Sequence, residues 1–373
     1  MTQSTLMKYP IKSIILVILC CAPSLLRAAE VRSSRNTNPA LLYWQAAAEL
    51  PPLSEAQARQ LREIADGKIP FKAEIIEEFN FEQPVKFLRK AVVSEAPCEW
   101  GLAWEEGVAM TTPHLAKMRE FSTIVLVLAE AKFAKGEVAG GIDLLLVAHH
   151  IARDAGVTPF LISNIIQNIL ERRTIETAAR HCMSWDTEIR GDYARRQSEL
   201  PGLSSLPQAF ASELAWIDAW EKGLQEDFDQ ARQKLGLAAS STESDPFEDP
   251  KLIHEMTDNY RKVHAKGMAT LKLKGRARRL AVAEFEENMA ADLTANKKLT
   301  KNILVALAMP TLNKMVRGED QTSIAQAMLK SALKHGPEIS EKDLEGQDFK
   351  LVRKDGGWAL DSKELEFSLK IRK

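Results

Sequence analysis

The chain has 373 residues, 45% of them apolar and 27% charged, with a formal net charge of −1 at pH 7. That composition excludes a disordered or membrane-embedded chain and fits a globular protein of two compact units, or one large unit with an appendage. Nearly balanced charge removes any global electrostatic reason to bind nucleic acid, so no nucleic-acid partner is expected.

Residues 1–29 read as a signal peptide. Lys8 and Lys12 precede an apolar run from Ile14 to Ala22, and Pro23, Ser24, Ala28 and Ala29 follow. This is the charged, apolar and small-residue order of a secretory leader. Even counted through Leu26 the run is about 13 residues, against roughly 20 for a membrane-crossing helix. The small residues place the mature start between residues 25 and 30. Cys20 and Cys21 follow Leu19 and Cys20 rather than a small residue, which argues against a lipidated cysteine. Removing the leader through Ala28 takes away three cations and no acid, so the charge becomes −4. A periplasmic or secreted protein is expected, meeting the membrane through its leader only in transit. Cys98 and Cys182 remain, and an oxidising compartment allows either a disulfide between them or two buried thiols.

Asn38-Pro39 opens a helix over 40–50 that Pro51-Pro52 ends, and Ser54 caps a second helix to about Ala65. Two short helices are predicted over 71–79 and 84–95. Thr112 and Pro113 start a helix whose apolar residues include Leu115, Met118, Phe121, Ile124 and Val125, and Gly136 supplies a left-handed stop. A further helix runs from Val138 to about Asp154. With about two residues between them, the pair over 112–156 must fold back as an antiparallel hairpin.

Gly136-Glu137-Val138 with Gly141, Ile142, Leu145 and Ala148, and Leu128 and Ala129 before them, resembles the turn and second helix of a tetratricopeptide repeat. Arg153 stands where the repeat's closing proline belongs, and no second copy follows at about 34 residues. The resemblance implies one repeat-like hairpin, not an array.

Helical patterning continues over Pro159 to His181, with Leu161, Ile162, Ile165, Ile166, Ile169 and Leu170 on one broad face, then over 185–199 and 207–235. Residues 237–250, small, acidic and proline-bearing, read as a linker between a helical domain over 30–236 and a helical region over 251–336. Helices are expected over 251–308 and 321–335, broken near Pro310. Over 337–373 the period becomes two. Phe349, Leu351, Trp358 and Leu360 flank a Lys-Asp-Gly-Gly turn, and Leu365, Phe367, Leu369 and Ile371 alternate with polar residues. This predicts three antiparallel strands, too few to stand alone and so packed on the helices. The fold class expected is mainly α, antiparallel helical hairpins with a small C-terminal β unit. Over its length the chain also resembles a family of uncharacterised exported bacterial helical proteins with a segment like LLYWQAAAEL, a Cys-x-Trp-Gly element (Cys98 to Gly101) and a terminal strand unit. That resemblance implies export and helical fold, and no reaction.

Among candidate chemistries, Cys98 to Gly107 combines Trp100 and Trp104 with Glu99, Glu105 and Glu106. An indole face beside carboxylates is what a sugar site needs, so these five residues are candidate ligand contacts and, as an alternative, the acid and base of an envelope-polysaccharide hydrolase. Packing between helices is the simpler role. His254-Glu255-Met256-Thr257-Asp258 places an acid where a zinc protease needs a second histidine, so no metal is expected. His149 and His150, about 100° apart on one helix, send one ring toward the core and one toward solvent. Between Arg261 and Arg279 stand eight cations and no acid. They offer contact with an anionic surface, while the acidic stretches on both sides favour internal pairing. With no nucleophile elbow, phosphate-binding glycine loop or Cys-x-x-Cys pair, no cofactor is expected. The function class expected is an exported helical scaffold that binds another protein or envelope component.

Overall fold

The computed structural model describes residues 36–103, 110–226, 250–295, 302, 305–306, 312–354 and 357–372. The predicted leader, the 237–249 stretch and Trp104, Glu105 and Glu106 lie outside them. The architecture is mainly helical, with one small antiparallel sheet near the C-terminus. The described residues fall into two units: 36–50 with 81–99, and 51–80 with the chain from 100 onward.

In the first unit, α1 (Pro39–Ala48) packs on α4 (Glu82–Val92). Asn38 caps α1 by accepting from the Ala40 N–H at 3.0 Å, and Pro39 occupies the first position, where no N–H is needed. Leu42, Tyr43 and Ala46 of α1 and Val85, Leu88 and Ala91 of α4 are buried. Asn38 also clasps Glu99, donating to its carbonyl at 2.8 Å and accepting from its N–H at 3.0 Å.

The second unit begins with α2 (Glu55–Ala65), fixed by a reciprocal Ser54–Gln57 capping box, and the short α3 (Glu74–Glu77). The long helices α5 (Pro113–Ala134) and α6 (Val138–Ala155) form the predicted hairpin. Gly136 turns the chain at φ +74°, and the Glu137 N–H closes back on the Lys132 carbonyl at 2.9 Å. Gly141 sits under the Phe133 ring, where a Cβ would lie 2.3 Å from a ring carbon. Only glycine allows that contact. Thr112 occupies the cap position of α5, but its side chain makes no capping bond, so Pro113 carries the start. Helix α5 is buried on nearly every side because α2, α6 and α7 (Leu161–His181) all pack on it.

Helix α8 (Thr187–Ser198) starts at Asp186, which accepts from the Ile189 N–H at 2.8 Å. Helices α9 (Leu206–Glu226), α10 (Pro250–Leu271), α11 (Gly275–Ala295) and α12 (Leu312–His335) pack in sequence order, and α12 returns onto α7. Elements from both sides of 237–249 thus belong to one unit. The helical stretch expected after 251 is divided at Lys272–Lys274, with Gly275 at φ +52°. Helix α12 starts well before the expected residue 321. The sheet has order β1 (Phe349–Lys354), β2 (Gly357–Ser362), β3 (Ser368–Arg372), with Leu351 opposite Leu360 and Leu360 opposite Leu369. Phe349, Leu360, Leu369 and Ile371 are buried, and β3 lies against α7. The alternation through 365–371 overstated β3. Glu364 and Leu365 donate their N–H groups to Ser362 Oγ, a side-chain-capped turn that delays the strand to Ser368.

Candidate functional site

Of the Trp-Glu cluster, Glu99 and Trp100 are the members among the described residues. Trp100 donates its indole N–H to the Asp154 carbonyl at 3.0 Å, and its ring stacks on His114 with centroids 4.5 Å apart. Its polar atom and one face serve packing. Glu99 is exposed, and the contacts to Asn38 run through its backbone. His114 is buried with both ring nitrogens unpartnered, and burial pushes its pKa down to about 4, so it is neutral near pH 7. Cys98 and Cys182 are each a buried thiol, the second of the two alternatives the sequence left open.

His149 lies at the centre of a buried network. Its Nδ1 faces Glu171 Oε2 at 2.8 Å and its Nε2 faces the Tyr193 hydroxyl at 2.8 Å. A carboxylate only accepts, so Nδ1 carries the proton in that bond. Arg153 donates to Glu171 Oε2 at 2.8 Å and to the Pro201 carbonyl at 2.6 Å, and Gln326 donates to Glu171 Oε1 at 3.1 Å. Burial alone would raise the Glu171 pKa. The charges of His149 and Arg153 and their hydrogen bonds outweigh it and hold the carboxyl at about 2. Glu-His-Tyr is a proton-relay order, yet Glu171, His149 and Tyr193 are fully buried and no substrate reaches the hydroxyl. The network ties α6, α7, α8 and α12 together. His150 is half-buried, and burial, then Arg153 and His149, lower its pKa to about 4.

The other histidines are engaged similarly. His181 and Arg180 share Glu130 at 2.8 Å each, His254 pairs with Glu221 at 3.0 Å, and His264 bonds the Phe210 carbonyl at 2.6 Å. Among the described residues no group of three or more His, Cys, Asp or Glu is placed to hold a metal. No described helix is long and apolar enough to cross a membrane.

One open concavity has the character of a ligand site, a groove of about 450 Å³ between α7 and α12. Such a volume lies within the ~300–1,000 Å³ of ligand clefts. Its apolar surface comes from half-buried Ile165, Ile169 and Met315. Ile162, one turn before Ile165 or Ile166 on the same helix, is 47% exposed. Gly318 keeps the α12 side open, because a Cβ there meets nothing within 4 Å. The rim is cationic. Arg172 donates to Gln321 at 3.0 Å, Arg317 reaches Glu366 at 3.7 Å, and exposed Lys314 has no ion pair among the described residues. The other carboxylate on the rim, Glu319, is already bound by Arg278 at 2.6 Å and by the Leu206 N–H at 2.7 Å. The walls are held together by Gln326, which reaches across to Glu171, while the Thr322 hydroxyl donates to the Gly318 carbonyl of its own helix at 2.9 Å with the Asn168 carbonyl of α7 at 3.3 Å.

The sequence did not single out these residues. One signal was present: the apolar face of α7, Ile162 through Leu170, is wider than one packing partner covers, and its outer edge becomes the groove floor. No family model, no curated protein and no solved structure matches this chain.

Proposed function

We propose that the chain is an exported helical binding protein that holds a segment of another protein of the cell envelope in the groove between α7 and α12. The observation that carries the reading is the groove: an apolar floor left open by Gly318, with Lys314, which has no ion pair among the described residues, at its rim. A helix or extended segment presenting apolar side chains with an acidic residue matches that surface. The repeat-like hairpin of α5 and α6 backs α7 and fixes its exposed edge, and the leader pattern of residues 1–29 supports export. The hydrolase alternative gains nothing from Trp100, whose indole is committed to Asp154 and His114.

Affinity capture of the full chain, with mass spectrometry of what it retains, tests this against a Gly318→Leu variant. The expected result is a partner held by the wild type and lost by the variant, at unchanged fold by circular dichroism. Identical partners for both proteins, or none for either, overturn the reading.

A further inference from the structure

The structure sorts the eight cations between Arg261 and Arg279 into two sets. Arg261 binds Asp218 at 2.7 Å and Glu221, and Lys262 binds Asp258 at 2.6 Å. Arg278 binds Glu319 at 2.6 Å and Asp320, and Arg279 binds Asp320 at 2.9 Å and Glu364. The pairs of Arg261, Arg278 and Arg279 fasten the α10–α11 hairpin to its own unit, while the Lys262 pair lies within α10. Lys266, Lys272, Lys274 and Arg276 are exposed and have no ion pair among the described residues. Three of them crowd the tip, where residues 272–277 are all exposed and a Cβ on Gly275 meets nothing within 4 Å. Leu273 and Leu280, 45% and 61% exposed, stand beside them, and Arg276 and Leu280 share one face of α11 by their spacing of four.

We infer that the α10–α11 tip docks on an anionic lipid surface, with Lys272, Lys274 and Arg276 among the headgroups and Leu273 and Leu280 entering the interface. Cations interleaved with leucines on a projecting turn meet both requirements of interfacial binding, attraction to anionic headgroups and a small apolar insertion. An acidic protein would satisfy the cations and leave the leucines unexplained. The tip is separate from the α7–α12 groove, so either assignment can fail without the other.

Flotation of the full chain with vesicles of equimolar phosphatidylglycerol and phosphatidylcholine, against phosphatidylcholine alone, tests the inference at low and raised salt. All proteins compared carry the same residues 1–35, so any contribution from that segment is common to them. Each cation near the surface is worth about a fivefold change in partitioning, so Lys272→Gln/Lys274→Gln/Arg276→Gln is expected to lose about a hundredfold on anionic vesicles. Leu273→Gln/Leu280→Gln is expected to lose binding on the same vesicles. The charge-matched control Lys86→Gln/Lys330→Gln/Lys350→Gln, at exposed positions elsewhere, is expected to stay within about twofold. Absence of binding, equal binding to both vesicles, retention by the tip variant or an equal loss in the control overturns the inference. So does equal affinity for soluble polyglutamate together with indifference to the leucine substitutions, which would make the partner an acidic polypeptide.

Discussion

Replacing Glu171 by Gln should be among the most damaging single changes in the helical body. The carboxylate is fully buried and accepts from His149, Arg153 and Gln326. A glutamine keeps one acceptor and turns the other oxygen into an NH₂ group facing donors already in place, while the Arg153 guanidinium loses its counter-charge. Breaking a buried ion pair by removing one partner costs about 3–5 kcal/mol. Linkage gives a comparable figure. The Glu171 pKa stands at about 2 in the fold against an ordinary 4.5, and at 1.36 kcal/mol per pKa unit this is roughly 3 kcal/mol of stability at neutral pH. Because the folded pKa is depressed, the contribution is complete above about pH 4.5 and is lost as pH falls toward about 2. Urea unfolding followed by circular dichroism, repeated from pH 7 to pH 3, should show a lower midpoint at unchanged slope for Glu171→Gln and a shallower acid loss than in the wild type. Adding Arg153→Met should restore part of the loss, since the stranded charge is then removed. A neutral-pH loss under about 1 kcal/mol, or an unchanged acid profile, would refute the assignment of this network as the tie between α6, α7, α8 and α12.

Three further outcomes follow from the same geometry. His114 and His150 are held neutral by burial, with pKa values near 4 against an ordinary 6.5; the unfolded chain therefore binds protons first and stability falls between about pH 6.5 and pH 4. His114→Phe/His150→Gln should flatten thermal midpoints across that window, and an unaltered pH slope would contradict the burial argument. Gly318→Ala should stabilise by about 0.5–1 kcal/mol, since helical propensity improves and the new methyl meets open space, whereas Gly136→Ala should cost about 1–2 kcal/mol at its left-handed φ; thermal melts distinguish the two signs. Burial pushes the Cys182 thiol up to about 12, so iodoacetamide at pH 8 should leave it unlabelled in the native protein and label it in urea without any reductant. A reductant requirement would indicate a disulfide.

Local punctuation and period were the legible parts of the fold. Pro113 and Gly136 delimited α5 because a missing N–H and a positive φ are properties of single residues. The alternation in the last segment marked the inward face of the sheet, although the Ser362 turn shortened β3. The break at Lys272–Lys274 carried a sequence signal in Gly275 that the surrounding helical pattern hid. What joins distant segments was not legible. His149 and Arg153 lie four apart on α6, but nothing in the sequence names Glu171 or Tyr193 as their partners. The groove likewise pairs Ile165 and Ile169 with Met315 and Gly318, which only the return of α12 onto α7 brings together. The Trp-Glu stretch attracted notice by composition, and Trp100 proved to be packed on His114 within its own unit.

The central claim, that the α7–α12 groove holds a segment of another protein, is tested most directly by site-specific photo-crosslinking. A benzophenone side chain in place of Met315, in the full chain expressed in its native cells, should give a discrete adduct with one polypeptide on irradiation. The adduct should vanish when Gly318→Leu is added and be absent when the probe replaces exposed Lys330. No adduct at Met315, or one unchanged by Gly318→Leu, would contradict the account.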